Sequence, residues 1–81
     1  MRKHLLGTTF SYNAIAPHVA RARHLADTTW ADYAVIEWSN EYGGRRLSVV
    51  PEAYTRSDEF AAVDGVVVFD TIVGWSREDV A

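Results

Sequence analysis

Apolar and polar positions alternate with a period of two from residue 4 to residue 12. Leu6, Thr8, Phe10 and Tyr12 oppose Leu5, Gly7, Thr9 and Ser11, the pattern of a strand with one bulkier face. The period then lengthens. On a helical wheel Ile15, Val19, Ala22, Leu25 and Ala26 share one face and Arg21, Arg23, His24 and Asp27 the other, which predicts an amphipathic helix over 15–28. Pro17 would sit in its first turn, where a missing N–H forfeits no helical acceptor. From Tyr33 the period returns to two, with Ala34, Ile36 and Trp38 against Tyr33, Val35, Glu37 and Ser39. Gly43 and Gly44 offer the positive φ angles of a hairpin turn, and Leu47 and Val49 then alternate with Arg46, Ser48 and Val50. A hairpin of 33–39 with 45–50 follows, ended by Pro51.

Residues 52–64 carry two competing signals. Thr55 or Ser57 as a cap, Asp58 and Glu59 in a first turn and the alanines at 61 and 62 favour a short helix. Asp64-Gly65 as a two-residue hairpin turn favours a strand instead. The helix suits the composition better. Residues 66–75 are dominated by β-branched and aromatic side chains and predict the last strand. The order is then βαββαβ, the ferredoxin-like order, an α+β single domain over 1–81 with a four-stranded, mainly antiparallel sheet and helix one packed on one face. That order puts the most apolar strand at a sheet edge, where it needs a cover. Either a partner or a second copy supplies the cover, or the last strand is central. Tyr33, Val35, Val50, Val66, Val68 and Ile72 also exceed what one helical layer hides, so Val66, Val68 and Ile72 are expected to mediate self-association as a homodimer.

Composition narrows the class. The chain has 81 residues and no cysteine, which excludes disulfide frameworks and thiolate metal sites. With 48% hydrophobic and 23% charged residues it is too apolar and too mixed in charge to be disordered. No stretch approaches the roughly 18 apolar residues of a membrane span, and the expected setting is cytoplasmic. Arginine, alanine and valine are abundant while lysine and isoleucine are scarce, a bias that fits a bacterial or phage genome. The net charge of −3 is unevenly spread: Arg2, Lys3, Arg21 and Arg23 precede every carboxylate, and all the acidic residues follow.

Catalytic and metal motifs do not stand out. His18 and His24 lie six apart, pointing about 120° away from each other on a helix, and no carboxylate sits at ligand spacing beside them. No metal and no cofactor is expected. Asp64 and Asp70 suit a turn and an exposed strand face better than an acid–base pair. The basic N-terminal stretch could meet phosphate, but the acidic balance and the lack of a reader motif argue against nucleic acid. Aromatic residues are the stronger signal. Trp30, Tyr42, Tyr54, Arg45 and Arg46 have weak structural reasons for their positions and are of the types enriched at binding hot spots. Glu52, Asp58 and Glu59 add an acidic patch suited to a basic groove on a larger protein. The expected function is a non-enzymatic protein-binding module, an accessory or inhibitor protein that occludes a surface of a larger complex, a phage-encoded inhibitor of a host defence complex being one instance. The alternative is a small-ligand-binding or catalytic homodimer with a pocket between helix one and the sheet, using His18, Asp70 or Tyr12.

Overall fold

The computed structural model describes residues 3–4, 8, 10–75 and 79–80. The elements are β1 (Lys3–His4), α1 (Tyr12–Thr29), β2 (Tyr33–Ser39), β3 (Arg45–Pro51), a 3₁₀ turn (Glu52–Arg56), α2 (Asp58–Ala62), β4 (Val66–Asp70), β5 (Gly74–Trp75) and β6 (Asp79–Val80). This is a small α+β domain. One long helix packs on an antiparallel sheet of three full strands, β3-β2-β4, which the two-residue β5 extends beside β4.

Among the described residues, the strand expected over 4–12 is seen at His4 alone, and residues 8 and 10–12 are not strand. β1 covers Lys3–His4 and pairs with β6 in a two-stranded sheet of its own, while residues 5–7 and 9 lie outside the described residues. Tyr12 belongs to α1 instead. The cause is Ser11, whose extended backbone and side-chain oxygen, accepting from the Ala14 N–H at 3.2 Å, start the helix three residues before the predicted point. Pro17 consequently falls in the second turn, where it does cost a backbone hydrogen bond. Ile15, Val19 and Ala22 are buried, as their spacing predicts.

The β2–β3 hairpin runs from Tyr33↔Pro51 to Ser39↔Arg45. Asn40 builds its turn: the side-chain oxygen accepts from the N–H groups of Tyr42 at 3.0 Å and Gly44 at 2.8 Å, and Gly43 takes φ 81°. On the helix-facing side, Val35 and Phe69 pack with Ile15, Val19 and Ala22, and Tyr33, Leu47, Val49 and Phe10 flank them.

β3 and β4 are both antiparallel to β2 and therefore parallel to each other, so the segment joining them must cross β2. α1 occupies one face, and the crossover touches β2 and β3. Ala34 and Ile36, which point away from α1, are buried. Of the residues expected to exceed one helical layer, Val35 and Val68 are buried, Tyr33, Val50 and Val66 are half-buried and Ile72 is exposed. Val35 and Val68 lie in the core beneath α1. Val68 is the extra residue of a bulge in the β2–β4 ladder, between the pairs Val35↔Phe69 and Ile36↔Val67. Ile72 is exposed, but in the turn 71–73 rather than on a strand. β4 lies beside the central strand β2, with β5 on its other side against Phe69 and Asp70, so the ferredoxin-like order is not what forms.

The crossover is helical, as the acidic first turn and alanines favour. Ser57 caps α2 by accepting from the Phe60 N–H at 3.2 Å, and Tyr54 meets Phe60 edge-on with ring centroids 6.2 Å apart. Asp64-Gly65 is the stop of α2. Asp64 adopts φ 55°, its N–H bonds Ala61 O, and the Gly65 N–H bonds Phe60 O. A Cβ on Gly65 would lie 2.4 Å from Phe60 Cε1 and 2.8 Å from Phe60 O. Gly65→Ala is therefore expected to destabilise the fold by roughly 1–3 kcal/mol. Urea unfolding checks this, and an unchanged midpoint would show that Phe60 has room to move.

Candidate functional site

The residues expected to form one contact surface are dispersed. Trp30 is 94% exposed and Tyr42 88% exposed, but Trp30 lies before the start of β2 and Tyr42 beyond its end. Arg45 is a structural residue. Its guanidinium donates to Glu37 Oε2 at 2.6 Å, Ser39 Oγ at 2.7 Å and the Asp64 carbonyl at 3.0 Å. Arg46 next to it is exposed. Tyr54 is half-buried against Phe60. Glu52 is engaged by Arg56, and the hydrogen bond and charge of Glu52 hold the Arg56 guanidinium above its usual pKa. Asp58 and Glu59 are exposed in the first turn of α2.

Glu37 is the residue whose role the sequence reading missed. It is 2% exposed, accepts from Thr8 Oγ1 and faces Arg45. Arg45 pairs with Ser39, so it is the diagonal neighbour of Glu37 on the same face of the hairpin, close enough for two long side chains to meet. A carboxylate alternating with Tyr33 and Val35 on an apolar face was the available signal.

A cleft opens where the C-terminal end of α1 meets the end of β4. It encloses about 460 Å³ and is lined by residues from 23–32 and 69–74. Local chemistry builds it. Trp30 ends α1 in the left-handed region at φ 60°, its N–H donating to Ala26 O at 3.1 Å, so its indole projects from a fixed backbone. The chain then turns into β2, and Thr71 clasps this turn. Its hydroxyl accepts from the Tyr33 N–H at 3.0 Å and donates to Asp32 Oδ1 at 2.9 Å, and its N–H bonds Tyr33 O. Asp70 Oδ1 accepts from the N–H groups of Ile72 and Val73, which closes the adjoining turn. Ile72 and Val73 are thereby held 60% and 74% exposed.

Arg23 forms one wall, its guanidinium carbon 5.1 Å from the centre of the Phe69 ring. Asp27, Asp32 and Asp70 also line the cleft, so one cation stands among three carboxylates. The last turn of α1 carries no basic residue, which leaves the negative end of the helix dipole uncompensated there. Among the described residues there is no group of His, Asp or Glu side chains arranged to hold a metal ion.

No family model, curated protein or solved structure matches the chain. The site therefore rests on its own geometry. Of the polar residues expected in a helix–sheet pocket, the cleft includes Asp70 and leaves out His18 and Tyr12. His18 faces back along α1, with Nδ1 3.3 Å from Ala14 O. Arg23, Asp27 and Asp32 were not foreseen, since only the docking of 70–74 against 30–33 brings them together.

Proposed function

We propose that the protein is a non-enzymatic protein-binding module that covers part of a larger macromolecule, and that Trp30 is its principal anchor. The observation that supports this reading is an indole 94% exposed on a backbone fixed by a helix cap. A tryptophan buries about 150–250 Å² in a contact, worth on the order of 4 kcal/mol at 25 cal/mol per Å². A rigid anchor loses little conformational freedom when it binds. Ile72 and Val73 beside the same cleft enlarge the apolar area, as at the centre of protein interfaces.

The experiment is capture of a partner from the native host with the tagged chain, followed by calorimetry with the purified partner. Trp30→Ala is expected to weaken binding about 30-fold or more, the scale of a hot spot, while Arg46→Ala at the far end of the hairpin changes it little. Equal affinity of Trp30→Ala and the parent chain would remove Trp30 from the contact and this reading with it.

A second reading is a site for a small ligand, favoured by the cleft volume of about 460 Å³, within the range of small-molecule pockets. It requires that a small molecule saturate the cleft with no protein present.

A further inference from the structure

We infer that the Trp30 end docks an arginine-bearing segment of its protein partner, the guanidinium lying along the indole and reaching the carboxylates of Asp27, Asp32 and Asp70. The inference deepens the protein-binding reading and rests on it. Charge complementarity selects the occupant. The lining holds Arg23 against Asp27, Asp32 and Asp70, and the C-terminal end of α1 adds its own negative potential with no basic residue in the last turn. An acidic or phosphorylated segment would be repelled here.

The carboxylates keep capacity for a newcomer. The Asp27 carboxylate has no hydrogen-bonding partner among the described residues, and Asp32 and Asp70 use Oδ1 for Thr71 and for the 72–73 backbone, leaving Oδ2 without a partner among the described residues in each. Arg23 lies over Phe69, which occupies that ring and leaves the Trp30 indole as the open aromatic face of the lining. A planar guanidinium suits both demands at once, since it stacks on an aromatic ring while its N–H groups fork onto carboxylates. Ile72 and Val73 at the rim offer contact to apolar neighbours of that arginine.

The test uses the ¹⁵N-labelled full chain and the capped peptide Leu-Arg-Leu, compared with its citrulline, lysine and glutamate counterparts. The arginine peptide is expected to move the Trp30 indole N–H and the amides of Asp27, Thr71 and Gly74, saturating at roughly millimolar concentration as a single side-chain contact should. Citrulline keeps the shape without the charge and should bind about fivefold or more weakly, and the glutamate peptide should leave these signals in place. Asp27→Asn, which disturbs no side-chain hydrogen bond or ion pair among the described residues, should weaken the arginine peptide about two- to fivefold and make its binding less sensitive to salt. Equal binding of the arginine and citrulline peptides, or shifts that map away from the cleft, would overturn the inference. So would an unmoved cleft in a chain whose captured partner still depends on Trp30, and in that case the protein-binding reading stands and the arginine does not.

Discussion

Arg45→Met is expected to destabilise the fold by about 2–4 kcal/mol, the cost of leaving a buried carboxylate without its half-buried partner. Glu37 is 2% exposed and lies on the helix-facing side of the sheet, between the hairpin and α1. Its charge is accommodated there by Arg45 at 2.6 Å and the Thr8 hydroxyl. Methionine keeps the apolar stem and deletes the guanidinium, so the loss comes from electrostatics more than packing. The same guanidinium ties Ser39 and the Asp64 carbonyl, so β2 and the end of the crossover are loosened together. Glu37→Gln removes the charge with little change of shape and should cost less. In the double variant the two losses should be clearly less than additive, because the penalty of Arg45→Met is mainly that of the carboxylate left behind. Urea unfolding of the four proteins measures this. Strict additivity would mean that Arg45 acts through its other contacts alone.

Phe69→Ala is the second large effect. Phe69 is buried, packs with Ile15, Val19, Ala22 and Val35, and carries Arg23 on its ring. Truncating such a ring costs about 3–5 kcal/mol. A chain of 81 residues has a total stability of only about 4–12 kcal/mol, at roughly 0.05–0.15 kcal/mol per residue. Phe69→Ala is therefore expected to remove a quarter or more of the total stability, read as a large fall in the urea midpoint. Phe69→Leu should retain the fold with a loss of about 1.5 kcal/mol or less. It should also release Arg23, which distinguishes the packing role of the ring from its role beneath the guanidinium. A variant Phe69→Ala as stable as the parent would contradict its placement at the centre of the core.

Local pattern was legible where local interactions decide the structure. β2 spans Tyr33–Ser39 as its alternation predicts, because the turn chemistry at Asn40 and Gly43 agrees with the pairing on either side. The apolar stripe of α1 was equally clear, whereas the capped helix at Asp58–Ala62 competed with a strand reading until the Ser57 cap and the Asp64-Gly65 stop decided it. The alternation of Phe10 and Tyr12 does not continue a strand because Ser11 caps a helix there, a local interaction that prevails over the period-two pattern. Sheet order was beyond reach for another reason. Whether β4 pairs with β2 depends on what the crossover can cover, which no window of sequence contains. The candidate site follows the same division. Trp30 stands out by having no place in any apolar face, whereas Arg23, Asp27, Asp32 and Asp70 become neighbours only through the clasp of Thr71 on Asp32 and Tyr33.

The loops before and after β2 each present a highly exposed aromatic side chain. Trp30 stands at one pole and Tyr42 at the other, separated by the seven residues of β2, or about 23 Å at 3.3 Å per residue. A rigid strand sets that spacing. Two footholds on one partner would then act as a linked pair whose effective concentration depends on geometry alone, and a partner with its own contacts at a different spacing could engage only one of them.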